Sequence, residues 1–103
     1  MPLSMQDKKQ FKAIGHHLKP VLLLGDKGLS DQVLAELNLR LEDHELIKVK
    51  VGGLDRDVRD ATVAALCTQT GAELVQRIGN IALVYRAAAK PNPKLSNLLR
   101  PQG

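Results

Sequence analysis

A short apolar run, Val21-Leu22-Leu23-Leu24, lies between Pro20 and the tetrapeptide Gly25-Asp26-Lys27-Gly28. Four consecutive apolar residues between such breakers read as a strand buried on both faces. Ser30 then stands where a helix cap belongs, with Asp31 in the first turn. There its carboxylate favours the positive end of the helix dipole. Leu34, Leu37 and Leu41, widened by Val33, form the stripe of that helix, which ends near Asp43. The chain must therefore pass from strand to helix within a few residues, which limits it to layered α/β arrangements. Two glycines three apart let the connecting backbone turn sharply and present its amides. The helix start adds unpaired N–H groups. Together these make a seat for a phosphate, although the same residues also serve as a tight turn with no ligand.

The remaining elements follow from local signals. Ser4 caps a first helix, with Asp7 three residues on, and Phe11, Ile14 and Leu18 share one helical face. Gly15 and His16-His17 mark its fraying end and Pro20 stops it. From Glu45 to Val51, Ile47, Val49 and Val51 alternate with Lys48 and Lys50. This is the period of a half-buried strand, with both lysines off the core face. A third helix runs from about Asp55 to Thr70, with Val58, Ala61, Thr62, Ala65 and Leu66 expected on its inner side and Arg56 and Arg59 exposed. Gly71 suits the position just past its end. Two strands close the domain, 72–78 and 81–86, joined by the hairpin signal Gly79-Asn80. Tyr85 shares one face of the last strand with Ile81 and Leu83, and Ala82 and Val84 form the other. The order α-β-α-β-α-β-β implies a mixed four-stranded sheet with helices packed on it. Residues 1–87 form one domain. Residues 88–103, with Pro91, Pro93 and Pro101 and no acids, read as a basic, disordered tail. Leu95, Leu98 and Leu99 offer the alternative of a partner-binding turn.

Charge narrows the function classes. Residues 1–30 carry a net +3, residues 31–76 a net −4 and residues 77–103 a net +5. If the two basic ends meet in the fold, they form one positive face of the kind that binds polyanions; otherwise they are a solvated surface and a tail. No apolar run approaches the ~18 residues of a membrane span, and the N-terminus has no signal-peptide pattern. A cytoplasmic monomer is expected. A triphosphate-binding loop is excluded because Leu29, not lysine, follows Gly28. Adjacent His16 and His17 diverge on a helix, so no metal set forms with His44 and the lone Cys67. The two histidines read as helix-end or surface groups, or as hydrogen-bond donors to a phosphate. Cys67, within a helical pattern, reads as a small buried hydrophobe. No nucleophile has a base in motif context, so no enzyme and no cofactor are expected. Phe11 and Tyr85 are the only aromatics, which removes the ring platforms on which single-strand binders stack bases.

Three segments carry a resemblance. They are Leu18-Lys19-Pro20-Val21 continuing through Leu24-Gly25-Asp26-Lys27-Gly28-Leu29-Ser30; His44-Glu45-Leu46-Ile47-Lys48-Val49-Lys50; and Gly79 with Leu83-Val84-Tyr85-Arg86. In this order they resemble the CRM domain (chloroplast RNA splicing and ribosome maturation), in its bacterial stand-alone YhbY-like form, over about residues 3 to 87. The resemblance implies a fold similar to the C-terminal domain of translation initiation factor three, with a KH-like GXXG loop. It also implies binding to structured ribosomal RNA in precursors of the large ribosomal subunit. By motif, Gly25, Asp26, Lys27 and Gly28 are the expected backbone clamp, and Lys48, Lys50 and Arg86 are motif positions whose charge suits RNA. Lys8, Lys9, Lys12 and Lys19 would extend the contact. The alternatives are a module docking on ribosomal proteins through the tail and a small enzyme for a phosphorylated substrate.

Overall fold

The computed structural model describes residues 3–25, 29–52 and 55–98. Its elements are α1 (Met5–Gly15), β1 (Pro20–Leu24), α2 (Asp31–His44), β2 (Leu46–Val51), α3 (Arg56–Thr70), β3 (Glu73–Ile78) and β4 (Ile81–Tyr85). The expected α/β order is therefore observed. Each helix starts where a side chain satisfies a free amide. Ser4 accepts from the Asp7 N–H, Ser30 from the Val33 N–H and Asp55 from the Asp57 N–H. Such caps stabilise a helix by about 1 kcal/mol each. Gly71 ends α3 in the left-handed conformation, φ 75°.

The four strands lie in the order β1-β2-β4-β3. β1 pairs parallel with β2, while β4 runs antiparallel to both β2 and β3. The hairpin thus folds back so that β4 enters between β2 and β3. This gives the most apolar strand, with Ala82, Leu83 and Val84 all buried, a neighbour on each edge. It is covered on both faces, whereas β1, expected to be buried on both, is an edge strand with Leu23 exposed, because no helix covers that part of the α1 face.

On one face α2 and α3 pack over Leu24, Ile47, Val49, Val51, Ala82 and Val84, contributing Leu37, Leu41, Val63 and Leu66. The inner side of α3 differs from expectation. Val63, Leu66 and Thr70 are buried, with Cys67 packed beside them, whereas Val58 is 52% exposed and Ala61 is exposed. Val58, Ala61, Ala64 and Ala65 spread small apolar groups around the helix, so periodicity alone cannot settle the rotation that docking selects. The opposite face holds a smaller core of Leu46, Val75 and Leu83, covered by Phe11, Ile14 and Leu18 of the α1 segment, with Leu3, Tyr85 and Leu98. Phe11 and Tyr85 stack at 4.8 Å between ring centroids.

Residues 88–98, read from composition as disordered, run as a strap across the start of β2. Glu45 accepts from the Ala88 N–H (3.0 Å) and from Ser96 Oγ (2.8 Å). Asn97 Nδ2 donates to the Leu46 carbonyl at 2.7 Å, and the Asn97 N–H to the His44 carbonyl at 2.9 Å. His44 Nδ1 donates to the Leu95 carbonyl at 2.9 Å. Ser96 and Asn97 are buried. These partners lie about 50 residues upstream, and composition does not register pairings of that range. Leu98 joins the second core instead of facing a partner, and Leu99 lies outside the described residues.

Candidate nucleic-acid interface

The two ends of the sheet are built differently. At one end, the carboxyl ends of β1 and β2 meet the β3–β4 hairpin. Leu24 is level with Val51, the Gly52 N–H donates to the Leu24 carbonyl at 2.6 Å, and the Val51 N–H donates to Asn80 at 2.7 Å. A Cβ on Gly52 would stand 3.0 Å from the Leu24 carbonyl oxygen and 3.7 Å from the Gly25 Cα, so glycine is needed for this approach. Both βα connections leave from here, and the N-termini of α2 and α3 rise from them. Open α/β sheets hold ligands outside the carboxyl ends of their strands, where helix amides and dipoles favour anions.

Gly25 is exposed at this end, and a Cβ built on it meets nothing within 4 Å. Packing therefore does not demand glycine there. Asp26, Lys27 and Gly28 lie outside the described residues. Lys50, between Leu23 and Ile81 in the register, is exposed beside the loop, and Lys48 lies half-buried two residues back on the same face. Lys9 and Lys12 are exposed on α1, which packs on that face, and Lys19 is exposed just before β1. On the other side of the hairpin, Arg56, Arg59, Asp60, Arg77 and Gly79 line a cavity. There Arg77 pairs with Asp60 at 2.9 Å and donates to the Gly79 carbonyl at 3.0 Å. This arginine group was not singled out from the sequence. The available signal was positional, because Arg56 opens the helix after β2 and Arg77 precedes the hairpin glycine by two residues.

Two of the expected cations stand elsewhere. Lys8 approaches the Glu73 carboxylate at 3.8 Å, at the start of β3. Arg86 follows β4 at the far end of the sheet. Its guanidinium donates to Asn38 Oδ1 (2.7 Å), the Thr70 carbonyl (2.9 Å) and the Asn38 carbonyl (3.1 Å), tying the middle of α2 and the end of α3 to the residue after β4. These contacts engage the Arg86 guanidinium within the fold, away from the loop end where Lys50 is exposed. Glu42, Glu45 and Glu73 of the central segment gather at that far end, whereas Asp31, Asp55, Asp57 and Asp60 stand at or near the helix starts of the loop end. Glu73 takes the Leu3 N–H on both oxygens, and Glu42 takes the Ala89 and Lys90 N–H groups. The N–H groups of Lys90 and then Ala89 hold the Glu42 carboxyl below its ordinary range, with Arg86 adding to the effect. The first and last described residues also lie here, since Leu3 and Leu98 pack into one core. The two ends of the described chain do meet, but beside Glu42, Glu45 and Glu73, and so do not form the uninterrupted positive face that the charge count suggested.

Other chemistry finds little support. Among the described residues, no three His, Cys, Asp or Glu side chains group as metal ligands, and no helix is long and apolar enough to cross a membrane. Burial, with the Glu73 charge, pushes the Cys67 thiol above its ordinary range, which keeps it protonated and inert.

The profile of the CRS1/YhbY (CRM) domain matches residues 3–86. This chain belongs to the CRM domain family. Its relatives include a probable RNA-binding protein of Pseudomonas aeruginosa, 56% identical over 97% of this chain and 96% of that protein. An RNA-binding protein of Haemophilus influenzae is 43% identical over 90% of this chain and 94% of its own length. Among solved structures, a hypothetical Staphylococcus aureus protein described as a candidate RNA binder superposes with a TM-score of 0.74. It is 28% identical, with 86% of this chain and 93% of that one covered. The matched CRM segment ends at Arg86, so the strap over β2 lies beyond it.

Proposed function

We propose that this protein binds structured ribosomal RNA in precursors of the large ribosomal subunit and assists their assembly, as a cytoplasmic monomer without catalytic chemistry. The observation that carries this reading is the convergence on one sheet end of exposed Gly25, the amide-bearing starts of α2 and α3, and Lys50 with Lys48 behind it. Family membership and the names of the relatives supply the polymer, and the resemblance to bacterial CRM proteins, which implies association with precursors of the large subunit, supplies the setting. The loop 25–28 is the clamp in this reading. Its backbone amides and the α2 dipole hold a phosphate, Lys27 adds a point charge, and Lys9, Lys12, Lys19 and Lys50 follow the strand.

The test is binding of a structured large-subunit ribosomal RNA fragment by the wild type and by Gly25→Asp, at several salt concentrations. A few neutralised phosphates give a log–log salt slope of roughly −2 to −5. The expected result is at least tenfold weaker binding by a variant whose melting is unchanged. Full affinity in that variant removes the clamp from the loop. A flat salt dependence overturns the electrostatic mechanism.

A further inference from the structure

The sheet face that carries α1 is only half covered. α1 closes the end containing Leu46, Val75 and Tyr85. Toward the loop end, Leu23 is 65% exposed and Ile78 is 63% exposed, with Lys50 and Ile81 between them in the register. Where α1 stops, helix and sheet enclose a cavity of about 190 Å³ lined by His16, Lys48, Gln76, Ile78, Ile81 and Leu83. Its position follows from Gly15. A Cβ there would stand 2.5 Å from Leu83 Cδ2, so a larger residue would have to displace the buried Leu83 side chain, and glycine lets the helix end approach the sheet with His16 at the cavity rim.

We propose that this cavity receives one unstacked nucleobase of the bound RNA, a base subsite beside the phosphate clamp. The proposal rests on the RNA-binding reading above. Ile78, Ile81 and Leu83 supply an apolar floor, and an imidazole can stack on a base face. The Gln76 amide carries both donors and an acceptor, enough to pair with a base edge. Lys48 in the lining and Lys50 two residues on supply charge complementary to the flanking phosphates, and no carboxylate is among the lining residues. The size suits the assignment, because sites that engulf a whole cofactor run to roughly 300–1,000 Å³. At the rise of a strand, Lys48 lies about 10 Å from the level of Val51 and Leu24, so one RNA strand reaches both cavity and loop. The subsite also offers a way to hold a base in a chain whose two aromatic rings, Phe11 and Tyr85, are spent on each other.

The probes are single-stranded oligoadenylate and oligouridylate, and an abasic ribose-phosphate oligomer of the same length. Methyl and amide NMR of the full chain reads the site. Base-bearing oligomers are expected to shift the methyl signals of Ile78, Ile81 and Leu83. The abasic oligomer should shift only amides around Gly25 and Ser30. His16→Ala and Ile78→Ala alter exposed side chains and so leave the fold intact. Each is expected to weaken base-bearing oligomers about fivefold and to leave the abasic one unchanged. Equal losses on all oligomers, or methyl signals that respond to none while the loop amides do, overturn the base subsite and leave the clamp standing. No binding of any oligomer or of the ribosomal RNA fragment overturns both. Concentration-dependent loss of the same methyl signals without RNA assigns the face to a second copy of the chain and also overturns the proposal.

Discussion

The two ends of the sheet divide the work of this small protein. At the far end, polar groups are spent on one another. Arg86 bridges Asn38 and Thr70, Glu45 holds Ser96 and Ala88, Glu42 holds Ala89 and Lys90, and Glu73 holds Leu3. At the loop end, the starts of two helices, an exposed glycine and exposed Lys50 face outward. The comparison teaches that a formal charge of +4 says little about where a polyanion can sit. What matters is which cations the fold has already engaged. Lys8 and Arg86 have carboxylate or carbonyl partners at the far end, whereas the lysines of β2 stand on the open face.

The strongest way to break the comparison is to remove the strap. Deleting residues 88–103 exposes the Leu46 carbonyl and leaves the carboxylate of Glu45, a buried residue, without its Ala88 and Ser96 donors. Stability should fall by about 3 kcal/mol, measured by urea unfolding. RNA binding of the folded fraction should weaken only as far as its lost basic charges require. If stability is unaffected, the strap is not part of the domain.

Arg86→Ala tests the same end through one side chain. Loss of its hydrogen bonds to Asn38 and Thr70 should cost about 1–2 kcal/mol, with the salt slope of RNA binding unchanged. A shallower slope in this variant would return Arg86 to the interface. Lys50→Ala is the mirror experiment. Stability should stay within about 0.5 kcal/mol while the salt slope loses about one unit. A variant that melts earlier and binds normally would reverse the roles of the two ends.

The smallest expected effect is one of pH. The Glu42 carboxyl is held below its ordinary value of 4.5 by the Lys90 and Ala89 amides. Its contribution to strap docking is therefore complete above that value and is lost as pH falls through the lowered one. The protection of the Ala89 and Lys90 amides against exchange, relative to their intrinsic rates, should be lost on acidification below the ordinary carboxylate range, ahead of protection in the β2–β4 ladder. Simultaneous loss of both would make strap and sheet one cooperative unit.

Much of the fold was legible locally. Ser4, Ser30, Asp55 and Gly71 mark helix ends because a cap acts on amides two to four residues away. The alternation of Ile47, Val49 and Val51 with Lys48 and Lys50 sets which side of β2 is wet, because strand side chains alternate whatever the partner. By itself, then, the sequence determined the seven elements, their order and the strand-to-helix passage at Gly25. Tertiary structure alone decided that β4 enters between β2 and β3, that α1 takes the opposite face from α2 and α3, and that α3 turns Val63 inward instead of Val58. It also decided that residues 88–98 bind the β2 corner and that Arg86 serves the frame. Each of these outcomes depends on which distant apolar surface or unpaired polar group is available once the chain has collapsed. Such pairings have no period and no fixed spacing along the chain, so only the assembled core selects them.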